Sequence, residues 1–504
     1  MTDFDLFSNL ALGFGVAFTW QNLLYCLIGA LLGTLIGVLP GIGPVTTIAI
    51  LLPITFQLEP TSALIMLAGI YYGCQYGGST TAILVNLPGE ASSIVTTLDG
   101  YQMARRGRAG EALAIAAIGS FIAGCFGTLL IAGFGPPLAE MAQKFGPAEY
   151  FSLMALGLVA SVVMAHGSVL KSFAMIFFGL ALGLIGTDVD TGAYRYTFGI
   201  PELTEGISFV ALAMGLFGIA EILRNLSAGV EDRSVLETRV TGLWPKWSVI
   251  RQAMPAVLRG TGLGSVLGLL PGGGAVLASF ASYTVEKKIA KDPSRFGQGA
   301  IEGVAGPESA NNAGAQTSFI PMLTLGIPSN AVMALMVGAM IIQGIEPGPE
   351  VMTKRPDLFW GMVVSMWAGN LMLLIINLPM IGMWVSLLKV PYRLMAPAIL
   401  LFCCIGVYTL NGSTFEVFMA AFFGLMGYAL MKLGFEPTPL LLGFVLGPLM
   451  EENLRRAMRF AQGDATVFIT RPLSATLLAI AALLLVIVVL PAVRKKREDV
   501  FVED

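Results

Sequence analysis

"LIGVLPGIGP" (Leu35–Pro44) and "VLGLLPGGGA" (Val266–Ala275) are near copies, with Pro40 and Pro271 lying 231 positions apart (271 − 40). Each puts glycine and proline where an apolar run should continue as helix. Proline removes a backbone donor there, and glycine is the weakest helix former after it. A break that occurs twice in one chain reads as architecture rather than as a local defect.

The surroundings of both copies are apolar. Of the 504 residues, 56% are hydrophobic and 12% charged, where soluble domains carry about 25% charged residues. Runs such as Ala112–Gly135 and Leu473–Leu490 approach or exceed the roughly 18–20 apolar residues that cross a bilayer as a helix. Outer-membrane barrels lack such runs. The chain is therefore expected to be an all-α polytopic protein of the lipid bilayer. The formal net charge of −3 offers no basic face for nucleic acid. Cys26, Cys74, Cys125, Cys403 and Cys404 form no CxxC pair, so neither disulfides nor a zinc site are expected. The opening "MTDFDLFSNLALGF" carries acids where a signal peptide would carry positive charge, so no cleaved leader is expected.

The break belongs to a longer repeat. The apolar limbs before and after each "LPGxG" read as a re-entrant hairpin, and in the second copy the limbs 257–270 and 275–285 are each about half a span. Each hairpin is followed by a second polar, proline-interrupted segment, "GGSTTAILVNLPGEASS" (Gly77–Ser93) and "GAQTSFIPMLTLGIPSNA" (Gly314–Ala331). Pro88 and Pro328 are 240 apart (328 − 88).

Loop charge gives the relative orientation, because Lys and Arg accumulate on the cytoplasmic side. The loop after the first hairpin, "QLEP", is acidic, whereas that after the second, "VEKKIAKDPSRFGQG", is basic. After the second polar segment the sense reverses, with "YQMARRGRAGE" basic and "IEPGPEVMTKRPD" acidic on balance. The two copies are thus expected to have inverted topology. The expected organisation is an N-terminal segment 1–21, inverted repeat 1 at 22–223, a cytoplasmic linker 224–256, inverted repeat 2 at 257–471, and a final helix with a cytoplasmic tail at 472–504. One loop conflicts with this count: 451–471 falls outside although it holds Arg455, Arg456 and Arg459. Either the count is off by one or the segment is an interfacial helix.

Inverted repeats with broken helices in matching positions point to a secondary transporter whose site lies where the breaks meet. An interrupted helix persists in hydrocarbon only where its freed backbone groups face protein, water or ligand. Helix N-termini suit an anion, and carbonyl oxygens suit sodium. The candidate substrate-binding residues are Gly41, Gly43, Ser79, Thr80, Thr81, Asn86, Pro88 and Gly89 in copy one. In copy two they are Gly272, Gly273, Gly274, Gln316, Thr317, Ser318, Pro328, Ser329 and Asn330. The ion-coupling candidates are Glu90, Ser92, Glu302, Glu308, Asn311 and Asn312, because ionisable groups at membrane depth are usually paired or functional. The bland reading of "GALLG", "GTLIG" and "GSVLG" is close helix packing. For the acids it is a loop position or a salt bridge. No phosphate loop GxxxxGK[ST] occurs, and the single histidine, His166, rules out an HExxH zinc site. Neither an ATPase nor another enzyme is expected, and no cofactor beyond a coupling sodium ion or proton.

"GVLPGIGP", "YYGCQYGGSTTAILVNLPGEASS", "GLLPGGGAVLASFASYTVEKK", "EGVAGPESANNAGAQTSFIPMLTLGIPSNA" and "TFGIPELTEGI" (Thr197–Ile207) together resemble the large membrane subunit, TctA, of the bacterial tripartite tricarboxylate transporters. The resemblance covers nearly the whole chain. It implies a multi-pass permease of the bacterial inner membrane that works with a small four-helix membrane subunit and a periplasmic solute-binding protein. It also implies sodium- or proton-driven symport of a carboxylate, citrate or another di- or tricarboxylate among the substrates, by elevator-like alternating access. The alternative is a passive anion channel on the same repeat.

Overall fold

The computed structural model describes residues 6–39, 41–164, 168–188, 190–227, 243–270, 274–388 and 392–489. These are almost wholly helical, the exception being a two-residue antiparallel pairing of Gly186–Thr187 with Tyr194–Arg195. Among the described residues six helices are long and apolar enough to cross a membrane: Trp20–Gly37, Ala109–Ala142, Phe209–Ser227, Pro356–Asn377, Leu394–Asn411 and Thr414–Lys432. The last two expose Leu401, Phe402, Phe418, Phe422 and Leu425, side chains that water would not tolerate as a contiguous surface and lipid does. The chain is an all-α multi-pass membrane protein.

The two copies use the same elements in the same order. In the first, hairpin limbs Trp20–Gly37 and Pro44–Thr55 precede a core helix, Pro60–Val85, then a break at 86–90 and a helix Ile94–Arg105. In the second, limbs Trp247–Leu267 and Gly274–Ile289 precede a core helix that runs as Glu302–Thr317 and Phe319–Leu325, then a break at 326–330 and a helix Ala331–Ile342. The limb expected to begin at 257 begins at Trp247. Its first turns carry Ser248, Arg251 and Gln252 among apolar residues, and such an amphipathic stretch escapes a reading based on continuous apolarity.

Glycines fix each hairpin to its core helix. A Cβ on Gly29, Gly33 or Gly37 would lie 2.2–2.4 Å from the carbonyl oxygens of Met66, Ile70 and Cys74. A Cβ on Gly260, Gly264 or Gly268 would meet those of Gly306, Ala310 and Gly314 at the same 2.2–2.4 Å. The two glycine sets are 231 apart and the two carbonyl sets 240 apart, the spacings of the two proline pairs. Close packing is therefore what these GxxxG motifs do, since only hydrogen fits in the seam.

Loop neighbours define the faces. Gln343 Nε2 donates to Thr55 O at 3.2 Å, which sets the acidic loop after the second break beside the acidic loop after the first hairpin. Arg106 Nη2 donates to Gln298 Oε1 at 3.3 Å, and Asp99 accepts from the Gly299 and Ala300 amides at 2.7 and 2.8 Å. The two basic loops therefore lie together. The start of the first hairpin is tied to the start of its core helix by Ser62 to Asn22 at 2.6 Å, and the start of the second by Gln252 to Glu302 at 3.0 Å.

Two segments hold helix that the apolar runs do not mark. The segment before residue 22 contains a helix, Leu6–Ala17, whose Gly13 packs under the Trp360 carbonyl on Pro356–Asn377. The 437–460 region is one continuous helix, Pro437–Phe460, that carries the three arginines. Arg455 pairs with Asp188 at 2.8 Å, Asp190 at 3.1 Å and Glu451 at 2.6 Å, and Arg459 pairs with Asp190. Arg456 pairs with Glu452. The basic residues thus share a face with the acidic 186–206 loop, and their charge is neutralised there.

Candidate functional site

Both breaks fold the chain back on its own core helix. Asn86 adopts the left-handed conformation (φ 59°) and so does Gly326 (φ 74°), 240 positions later. Glycine takes this conformation without penalty and asparagine with little. Gly89 then packs on Gly78, where an added Cβ would lie 2.3 Å from the Gly78 Cα. In the second copy Ser329 Oγ donates to Ser318 O at 3.3 Å, again eleven positions back. After the first fold-back the chain re-enters a helix that lies beside the end of the core helix, with Gly100 against the Ile83 side chain. Glu90 and Asn330 occupy the N-cap positions. Glu90 forms a capping box with Ser93, and Asn330 Oδ1 accepts from the Met333 amide at 2.9 Å. Each break thus presents a helix N-terminus inside the protein.

The first break meets the second copy's core helix in a buried polar cluster. Ser79 Oγ and Thr96 Oγ1 each lie 2.5 Å from a different carboxyl oxygen of the fully buried Glu308. Asn311 Nδ2 donates to Glu90 Oε1 at 2.9 Å, and Gln75 Nε2 donates to Asn311 Oδ1 at 3.4 Å. Asn312 Nδ2 donates to Ser120 Oγ at 2.7 Å and to Glu308 O at 3.1 Å. Among the described residues no ion pair involves Glu90 or Glu308. The Gln75 carbonyl-type Oε1 and both amide atoms of Gln316 are buried without a protein partner. Such groups are costly unless something else pairs with them.

The sequence candidates separate into three groups. Ser79, Glu90, Glu308, Asn311 and Asn312 come together in the cluster, and Ser92 is buried beside it on the turn Ala91–Ser93. A second group is engaged locally. Thr80 donates to Tyr76 O, Thr317 to Ala313 O and Ser318 to Ala315 O. Thr81 donates to Val38 O at 2.8 Å, which ties the end of the first hairpin limb to the core helix. Glu302 lies at the basic face, paired with Arg295 at 3.0 Å. Asn86 is exposed, while Pro328 is buried. The third group is the tips. Gly41 is left-handed (φ 79°) and its carbonyl accepts from Asn225 Nδ2 at 3.2 Å. Gly43 faces Gly89 and Glu90, with an added Cβ 3.8 and 3.9 Å from them, and Gly274 packs on Gly268. Pro40, His166, Pro271, Gly272 and Gly273 lie outside the described residues.

Gln75, Thr96, Asp99 and Ser120 belong to the site or its frame and are missing from the sequence candidates. Asp99 is fully buried; besides the two loop amides it accepts from Tyr283 Oη at 3.0 Å, so it anchors the post-break helix to the second hairpin. Thr96 and Asp99 stand three apart on one helical face, a spacing that could have flagged them.

A cavity of about 930 Å³ opens at the acidic face, between residues 145–150, 205–209, 341–350 and 444–456, and reaches Gly326 at the second break.

The sequence model of the tripartite tricarboxylate transporter TctA family matches residues 23–442. An uncharacterized 52.8 kDa protein in the TAR-I ttuC' 3'region of Agrobacterium vitis is 61% identical over 500 residues, 99% of each chain. An uncharacterized protein in the TAR-II ttuC' 3'region of the same organism is 61% identical over 241 residues, 48% of this chain and 100% of its own. No solved structure matches. With four-fifths of its length inside the family pattern, including both hairpins, both breaks and the polar cluster, the chain belongs to the tripartite tricarboxylate transporter TctA family, the large membrane subunit of a transporter.

Proposed function

We propose that the chain is the permease of an ion-coupled carboxylate uptake system of a bacterial inner membrane. A periplasmic binding protein delivers the substrate, and a small membrane subunit completes the complex. The observation that carries this reading is the pair of fold-backs, 240 residues apart, each ending in a capped helix N-terminus inside the protein. Two such termini supply backbone donors and partial positive charge to the carboxylates of an anion without an intramembrane arginine. Gln316 adds an unpaired amide close to the second break.

The grouping of acidic loops on one face and basic loops on the other supports inverted repeats, with the basic face cytoplasmic. In that arrangement each hairpin enters and leaves by one face, and the two breaks approach from opposite sides. Alternating access then exposes the same residues first to the acidic and then to the basic face. Proteoliposomes containing all three subunits test the reading. Uphill uptake of a di- or tricarboxylate under an imposed sodium or proton gradient is expected. Equilibration that ignores both gradients would instead identify a passive pore.

A further inference from the structure

The coupling site resolves further, on the reading just given. Ser79 Oγ lies 2.5 Å from Glu308 Oε2 and 3.0 Å from the Gln75 carbonyl oxygen, yet a hydroxyl has one hydrogen. With Glu308 ionised, the Ser79 and Thr96 hydroxyls donate to its two oxygens. With Glu308 protonated, its own O–H donates to Ser79 Oγ, Ser79 turns its hydrogen to the Gln75 carbonyl, and Thr96 still donates to Oε1. Both protonation states are fully hydrogen-bonded, and the switch between them needs only rotation of one hydroxyl. A metal cation needs its oxygens arranged around a centre. Here the hydroxyls touch the carboxyl oxygens directly and leave no such centre.

We propose that Glu308 binds and releases the coupling proton, with Ser79 exchanging the role of donor for that of acceptor. On release the Glu308 O–H bond breaks and the proton passes to water, with no change of oxidation state. A cavity of about 20 Å³ lined by Ser79, Thr80, Ser120 and Asn377 lies against Ser79, whose hydroxyl takes the Glu308 proton as it gives its own to the water there; the space suffices for about one water molecule. The buried Asn377 side chain presents an oxygen there with no protein partner.

The titratable groups around Glu308 are few. Glu90 lies on the break and Tyr76 on the first core helix. Asp99, on the post-break helix, is held by Tyr283 and two amides, and Glu286, on the second hairpin, is neutralised by Arg259 at 2.6 Å. None supplies Glu308 with a permanent counter-charge. The positions equivalent to Glu308, Ser79 and Thr96 at the 240 spacing are Ala68, Phe319 and Met336, so the proton site exists once per chain.

Infrared difference spectroscopy of the purified transporter across a pH titration tests this without any transport step. A protonated-carboxyl C=O band is expected to fade as pH rises, to be absent in E308Q, to persist in E90Q and to ignore added sodium. In S79A and T96V the band should remain but move in frequency, because its hydrogen-bond partners change. These two variants decide the matter where E308Q does not fold. A band unchanged in E308Q, removed by sodium at constant pH, or unmoved in both hydroxyl variants overturns the assignment. In proteoliposomes, accumulation driven by a pH gradient should fall about tenfold or more in E308Q, and undiminished proton-driven accumulation overturns the coupling role. A wild type that shows the band but no uphill uptake would instead defeat the transport reading and leave the proton site standing.

Discussion

At the scale of single residues, the site depends on positions where one atom decides the outcome. Gly33 and Gly264 sit under the carbonyls of Ile70 and Ala310, with room for hydrogen only. Gly33→Leu and Gly264→Leu should each destabilise the fold, by 1–3 kcal/mol or more as overpacked cores do. A lowered melting temperature of the purified protein would register it, and wild-type melting in both would mean the seams can open. Asn330 caps the helix Ala331–Ile342. Asn330→Ala should therefore lose about 1 kcal/mol of stability, which Asn330→Ser largely restores. Uptake that stays low in Asn330→Ser despite recovered melting would assign the amide to the substrate, whereas recovery of both would assign it to the cap. Asn86→Ala should reduce uptake by straining the left-handed turn, with membrane levels kept, and Asn86→Gly should rescue it. Glu90 and Glu308 were legible from sequence because acids in an apolar chain are conspicuous. Gln75 and Thr96 were not, because a neutral polar residue inside a helix carries no mark of what it faces until the tertiary partner is known.

Among the elements, breaks read well and amphipathic helix starts read poorly. The prolines and glycines of both breaks announce themselves, whereas Trp247–Leu267 begins ten residues ahead of its apolar run and Leu6–Ala17 precedes the first expected span. Arg455 and Arg459 of Pro437–Phe460 show the same limit in charge, since Asp188 and Asp190, which pair with them, lie 265–269 positions earlier. The Arg455 guanidinium, with backbone amides, holds the Asp188 carboxyl well below the usual carboxylate range, and Asp190 is lowered by Arg459 and Arg455. A lowered folded-state value means the contribution is present above the ordinary carboxylate range and is lost as pH falls through the lowered one. The ties between this helix and the 186–206 loop should therefore persist through mildly acidic pH and yield only below the ordinary range. Arg455→Ala should raise hydrogen exchange in 186–206 at neutral pH with little change elsewhere. Exchange that stays at the wild-type level would show that the loop is held by its other contacts.

For the whole molecule, the decisive quantity is which loops share a side of the membrane. Single cysteines at Gln57 and Glu346 should react with a membrane-impermeant reagent added from outside. Cysteines at Arg106 and Gln298 should react only after the membrane is opened; a mixed pattern would remove the inverted arrangement, and a full reversal would keep it while placing the basic face outside. The six glycine seats bear on the kinematics of such a machine. Where backbone lies directly on backbone there is no side chain to swing aside, so a hairpin that slid along its core helix would collide with the next residue bearing a Cβ. Each hairpin must therefore travel with its core helix as a single lever arm. On the alternating-access reading proposed above, the compliance that changes which side the protein faces is to be sought in the joints around those two arms rather than within them.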